Sequence, residues 1–305
     1  YRIIRSLHAN SRSQVLLAQD MDDGTLVAIK VPGSDLSDSG NGLARFMMEE
    51  WIARRVNSAH VLKSHRPDRA RRYLYHVSEY VEGQTLAQWM IDNPHPELDV
   101  VRELVEQVAR GLRAFHRLDL LHQDLRPDNI MIDRTGTVKI IDLGSVRVAG
   151  MAEAVPHDGT IAGAVQYTAP ECLLGAAGTE RSDMFALGVI AYQMLTGRLP
   201  YGAAAGRARS RTDLIRLRYE TMGAAERAIP FWVDRAIEKA VSIDPEDRYE
   251  VLSEFTYDLR HPNQALGTAS SQAWRRNDVA IWKTVALVLA VTVIILLILL
   301  GSQTG

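Results

Sequence analysis

Residues His122-Gln123-Asp124-Leu125-Arg126-Pro127-Asp128-Asn129 form a polar loop, followed by a short strand and then by Asp142-Leu143-Gly144. No other stretch restricts the fold as tightly. Ile130–Ile132 and Val138–Ile141 read as a strand pair, and the loop–strand–turn spacing brings Asp124, Asn129 and Asp142 to one edge. An Asp-x-x-x-x-Asn spacing alone is a weak signal. The downstream Asp-Leu-Gly makes it much stronger.

The chain changes its periodicity well before this loop. The first ~80 residues are strand-rich with one helix. Tyr1–Ile4, Val15–Ala18 and Leu26–Val31 alternate like strands, with Asp22-Asp23-Gly24 as the hairpin turn between the last two. Asp35–Asn41 reads as a loop, Phe46–Val56 as the helix and Tyr73–Tyr80 as a further strand. Beyond that the chain is mainly helical. Val100–Arg117 carries Val101, Leu104, Val105, Val108, Leu112 and Phe115 at helical spacing. Leu86–Ile91, Asp183–Thr196 (closed by Gly197) and Phe231–Val241 read as helices too. The expectation is an α+β chain with a strand-rich part over about 1–80 and a helical part over about 81–260.

His261–Asp278 is polar, with Pro, Gly and Ser, and 261–283 reads as a linker. The last apolar run, Val279–Leu300, is interrupted by one charge, Lys283. Residues 284–300 hold no charge, and about 17 such residues lie at the short end of what spans a bilayer. The expectation is a single-pass membrane helix. Arg275, Arg276 and Lys283 precede it while Gly301–Gly305 carries no charged side chain, which places the larger part of the chain in the cytoplasm. Trp282 is the expected interfacial anchor. A net charge of −2 gives no global basic field, so no nucleic-acid partner is expected. Cys172 is the sole cysteine, which excludes a disulfide framework and a cysteine metal site and suits a reducing compartment.

Oxygen-rich loops at a strand edge suit phosphoryl transfer. That chemistry needs one carboxylate near the acceptor hydroxyl and separate oxygen ligands for the Mg²⁺ that accompanies ATP. Asp124 suits the first task, and Asn129 with Asp142 the second.

With these motifs the chain resembles the eukaryotic-type protein kinases of bacteria over about residues 1–260. The resemblance implies a bilobal fold, ATP with Mg²⁺ or Mn²⁺, and a protein substrate with a Ser or Thr acceptor. Val27-Ala28-Ile29-Lys30 resembles the third-strand motif whose Lys contacts the α/β-phosphates. Phe46-Met47-Met48-Glu49 resembles the helix that offers that Lys its Glu, with Glu50 the alternative. Glu79 to Val81 matches the hinge that reads adenine, which makes Ser78 the gatekeeper. The same resemblance assigns Val15, Ala28 and Met131 to the nucleotide site and Arg126 to the catalytic loop beside Asp124. Ala169-Pro170-Glu171 closes the activation segment, with Arg248 as its salt-bridge partner, and Asp183 matches the Asp that props the catalytic loop. More narrowly, Ser11-Arg12-Ser13-Gln14-Val15, His122–Pro127 and Gly197-Arg198-Leu199-Pro200-Tyr201-Gly202 resemble the kinase half of bacterial phosphatase/kinase fusions. That implies a phosphatase domain or partner. No residue here shows a phosphatase.

The chain departs from this pattern in several places. The expected Gly-x-Gly-x-x-Gly falls on His8, Asn10 and Ser13, so the nucleotide loop lacks the glycines that let backbone lie close over phosphates. Gln123 replaces an Arg, Arg126 replaces a Lys, Leu143 replaces a Phe and Ala164 replaces a Thr. The altered loop motivates one rival reading, a nucleotide-sensing pseudokinase that regulates a phosphatase or membrane partner; the shared Asp-x-x-x-x-Asn and metal Asp leave a second, a small-molecule phosphotransferase. His122 reads as a packing and hydrogen-bonding residue, Cys172 as inert, and Arg207–Arg211 with Arg216 and Arg218 as a solvated surface.

Overall fold

The computed structural model describes residues 1–33, 40–65, 69–150, 164–222 and 229–266. Tyr1–Arg260 form one compact unit and His261–Gly305 a second. The linker's residues from 267 on, the apolar run 284–300, Trp282 and its flanking charges all lie outside the described residues. Among the described residues no helix is long and apolar enough to cross a membrane.

The first lobe is an antiparallel sheet in the order β1 (Arg2–Ala9), β2 (Ser13–Gln19), β3 (Leu26–Pro32), β4 (His76–Glu79). Alternation gives the sheet two different faces. Ala18, Val27, Ile29 and Val77 are buried together on one, with Leu16, Val31 and Tyr75 packed against them. The register Val15↔Lys30, Ala28↔Ser78 and Lys30↔His76 places those five residues on the other. The β2–β3 hairpin turns where expected: Gly24 N donates to Asp20 O (2.8 Å) and Asp20 N to Thr25 O (2.8 Å). Helix α1 spans Gly40–Arg55, starting a turn and a half before the apolar pattern signals it. Its early turns hold Gly40 and Gly42, weak helix formers whose helical state is set by context rather than propensity. The expected strand at Tyr73–Tyr80 is shorter, because the chain joins the sheet only from His76 and Tyr73 is 82% exposed.

The second lobe is helical: α2 (Leu86–Asp92), α3 (Leu98–His116), α4 (Pro170–Leu173), α5 (Glu180–Thr196), α6 (Arg211–Arg216), α7 (Phe231–Ala240) and α8 (Leu252–Arg260). All six apolar residues read from the α3 pattern are buried. Helix α5 is buried on every face from Ser182 to Tyr192, so it has no amphipathic stripe and forms the lobe's centre, with α3 and α7 against it. A three-stranded sheet, β5 (Gly83–Thr85), β7 (Ile130–Asp133) and β8 (Val138–Ile140) in the order β5-β7-β8, sits at the junction of the lobes. Strands β6 (Leu120–Leu121) and β9 (Arg147–Val148) pair beside it. Buried Gln107 of α3 fixes the β7–β8 hairpin: its Nε2 donates to Gly136 O (3.1 Å) and its Oε1 accepts from Val138 N (2.8 Å). The segment after α1 is stitched to β8 through Leu62 N to Ile140 O (2.9 Å) and Ile140 N to His60 O (3.0 Å). That junction brings the polar face of the first sheet over the 122–144 loop region.

Candidate active site

Three elements converge on Lys30. Its Nζ lies 2.6 Å from Glu49 Oε1 of α1 and 3.6 Å from Asp142 Oδ1 of the turn after β8. Burial pulls the Lys30 ammonium down, but Asp142 and Glu49 outweigh it and hold its pKa above the ordinary value. Burial pushes Glu49 up to about 7 against the pull of Lys30. Asp142 goes the other way: Lys30 and the Gly144 N–H overcome burial and keep it well below the usual carboxylate range. A Cβ at Gly144 would lie 2.7 Å from Glu49 Oε1, so a larger residue there would push on the Glu49 carboxylate. The Gly144 amide also donates to Asp142 Oδ1 (3.2 Å).

The polar loop is anchored from below. Asp183, 1% exposed at the start of α5, accepts from His122 N, Gln123 N and His116 Nε2, each at 2.9 Å. Burial alone would raise Asp183, yet these donors hold it below its ordinary value. Gln123 needs the anchor because its backbone is left-handed, at φ 62°. Downstream, Asn129 Nδ2 donates to Asp124 O (2.8 Å) and Asp124 Oδ2 (3.1 Å). Ile141 N donates to Asn129 O (2.9 Å). Asp124, Asn129 and Asp142 are thereby gathered at one hairpin edge, as the spacing predicts. Burial raises Asp124 above its ordinary pKa. Arg126 turns aside: its Nε and Nη2 bond Asp128 Oδ2 at 3.0 and 2.7 Å rather than Asp124.

Of the remaining nucleotide-site residues, Val15 and Ala28 share the sheet face of Lys30 and are half-buried. Val81 is buried, and Met131 stands half-buried on β7 opposite Thr85. Ser78 is buried between Ala28 and the bridge to Ser64. The Glu79 side chain points away from that face, accepting from Lys63 N (3.0 Å) and Lys139 Nζ (2.9 Å). The glycine-free turn is built by Asn10, whose Oδ1 accepts from Arg12 N (2.9 Å) and Ser13 N (2.8 Å). Gly33, just past β3, braces it: its N–H donates to Arg12 O (2.7 Å), and a Cβ there would collide with the Ser11 carbonyl.

Glu171 and Arg248 form a two-pronged pair at 2.8 and 2.7 Å, and Arg248 also donates to the carbonyls of Ser242, Arg181 and Ile243. The hydrogen-bonding half of the His122 expectation is corrected: its backbone bonds Asp183, but neither ring nitrogen has a partner among the described residues, and the ring packs edge-on against Phe115. Cys172 is half-buried, its thiol pushed up to about 11 by burial, which suits an inert residue. Sequence reasoning did not find His76, buried at 5% exposure beside Lys30 with Nε2 unpartnered among the described residues. Its only signal was a polar residue two positions before Ser78 in a buried strand.

Comparison with known proteins gives a consistent result. The protein kinase domain family matches residues 1–258. Serine/threonine-protein kinase PrkC of Bacillus subtilis is 29% identical over 266 residues, covering 85% of this chain and 40% of that protein. PknA of Corynebacterium glutamicum, also a serine/threonine-protein kinase, is 36% identical over 208 residues, covering 66% of this chain and 44% of that protein. The chain therefore spans under half the length of these relatives. The kinase domain of PknI from Mycobacterium tuberculosis aligns with a TM-score of 0.64 at 23% identity, over 85% of this chain and 94% of that one, which shows the fold.

Proposed function

The chain belongs to the protein kinase domain family, and from that premise we propose that it transfers the γ-phosphate of ATP to Ser or Thr hydroxyls of proteins. The observation that carries this reading is the meeting of Lys30, Glu49 and Asp142 from three separate elements. Lys30, held charged and fixed by Glu49, is placed to bind the α/β-phosphates. The adenine would lie between Val15 and Ala28 above and Met131 below, against the backbone of residues 79–81. Asn129 and Asp142 would hold the divalent cation, Mg²⁺ or Mn²⁺. The donors fit: both are hard oxygens, and Asn129 spends its Nδ2 on Asp124, which leaves its Oδ1 for a metal. Bound there, the cation neutralises phosphate charge. Asp124 receives the proton of the acceptor hydroxyl as its oxygen bonds the γ-phosphorus and the bond to ADP breaks. Arg126 is paired with Asp128 and would have to leave that pair to add positive charge near the transferred group.

Pro127 after Arg126 and the two serine/threonine relatives support Ser/Thr over Tyr acceptors. The Glu171–Arg248 pair supports a protein substrate over a small molecule, because it braces the platform that follows the activation segment. The glycine-free turn favours the pseudokinase reading, but every charged group that transfer requires is present. The test is an assay of the full chain in detergent with γ-labelled ATP and Mg²⁺ or Mn²⁺, beside Asp142→Ala. Label in protein that disappears in the variant is expected. Label in neither leaves nucleotide binding alone and overturns transfer.

We further propose the division 1–260 kinase domain, 261–283 linker and 284–300 membrane helix, with the kinase domain cytoplasmic and the helix in lipid. The uncharged run and the basic residues preceding it support this. A phosphatase domain or partner is part of the same proposal and rests on the fusion-like phrases alone. A reporter fused after Gly305 should appear outside the cytoplasm, and full chain that stays soluble without detergent would overturn the anchor.

A further inference from the structure

Helix α1 carries two adjacent glutamates, and the structure gives each its own cation. Glu49 takes Lys30, as described. Glu50 takes Arg71, in the segment that leads into β4. Arg71 Nη1 donates to Glu50 Oε2 at 2.6 Å, and its Nη2 bonds Glu50 Oε1, so the pair is two-pronged. The same Nη1 donates to Tyr75 O at 2.6 Å, and the guanidinium lies 5.2 Å from the Tyr75 ring centre. Both partners are 17% exposed, so solvent screens them less than a surface pair. Tyr75 directly precedes β4, whose far end runs into residues 79–81.

Successive residues on a helix point about 100° apart around its axis. A helix held by one ion pair can still roll about that pair. Two pairs at different angles, to two different elements, remove that freedom. Rolling α1 far enough to withdraw Glu49 from Lys30 would also tear Glu50 from Arg71.

We propose that Arg71 is a positioning residue for phosphoryl transfer: through Glu50 it locks the rotation of α1, so that Glu49 stays on Lys30, and it ties α1 to the strand that leads to the nucleotide hinge. The proposal rests on the kinase reading for its effect on transfer, and on geometry alone for its effect on α1. It touches neither substrate nor metal, so its signature is a placement defect.

Arg71→Gln keeps a hydrogen-bonding side chain but loses the charge and the fork. The measurement on the full chain is hydrogen exchange of the α1 amides, residues 46–55, together with kcat, KM for ATP and thermal melting. Loss of a coupling of this kind corresponds to about a tenfold effect. The expected result is roughly tenfold faster exchange in α1 and a roughly tenfold lower kcat, with KM and melting little changed. The exchanged pair Glu50→Arg with Arg71→Glu should restore both. Unchanged α1 exchange in Arg71→Gln overturns the clamp whether or not the protein transfers phosphate. Faster exchange with unchanged kcat overturns its role in transfer. If the wild type itself transfers nothing, the kinase reading falls while the exchange result still decides the clamp.

Discussion

Two loops of the molecule, residues 122–129 and residues 10–13, are held in opposite ways. The 122–129 loop is anchored from beneath by buried Asp183, whose carboxylate takes three donors, and its end is tied to the β7–β8 hairpin. The Asn10–Ser13 turn is exposed and holds itself through Asn10, with Gly33 behind it. Desolvated charge that is fully bonded is expensive to disturb, whereas exposed polar bonds exchange with water at little cost. The 122–129 loop keeps Asp124 and Asn129 while departing at Gln123 and Arg126, whereas the other turn has none of the three expected glycines. Under the proposed function the first loop carries the chemistry and the second bears on nucleotide affinity.

The sharpest way to break this contrast is Asp124→Asn. It leaves the Asn129 contact and the Asp183 anchor in place, so turnover should fall by ~10²–10⁴ while KM for ATP changes little. Steady-state kinetics on both parameters check it, and a collapse of nucleotide binding with normal turnover would reverse the roles given to the two loops. Next in size is the anchor itself. Asp183→Ala leaves His122 N, Gln123 N and His116 without their acceptor, and should cost about 3–5 kcal/mol in urea unfolding. A loss below ~1 kcal/mol would mean that the loop holds itself, as the other one does.

The strand-rich lobe has a buried polar group, His76, whose Nε2 has no hydrogen-bond partner among the described residues. His76 faces Lys30, Arg71 and Glu50, and burial first, then the two cations, lower its pKa from 6.5 to about 4. Between those values the unfolded chain binds the extra proton, so His76 destabilises the fold as pH falls from 6.5 toward 4, by up to ~3 kcal/mol, and costs nothing in this way above that window. His76→Leu should flatten that part of the stability–pH curve. An unchanged slope would assign the acid sensitivity to other groups. The smallest effect belongs to the exposed turn: Asn10→Ala removes two acceptor contacts and should raise KM for ATP by about 2–5-fold, with melting almost unmoved. An effect as large as that of Asp124→Asn would erase the distinction between the loops.

Much of this was legible beforehand for a physical reason. The α3 residues recur at helical spacing because one face of that helix is buried, and all six are buried. The 122–144 motif reads clearly because its residues lie close in sequence and its spacing is set by one hairpin. The start of α1 and the short β4 were not legible, because glycines become helical and strand residues leave the sheet through packing rather than propensity.

The sequence by itself determined which residues carry charge and oxygen and the strand-then-helix order. The motif put Glu49 on Lys30 with Glu50 as the alternative, and the tertiary structure pairs Glu49 with Lys30 and gives Glu50 to Arg71. Glu49 and Glu50 have the same chemistry and the same local propensity, and differ only in the direction they leave the helix. That direction acquires meaning once α1 is docked between β3, the Asp142 turn and Arg71. The same holds for Arg126, which the motif places beside Asp124 and which the folded loop turns toward Asp128. Spacing along a chain fixes which groups are near. The rotation of an element, set by packing at its far side, fixes which of them touch.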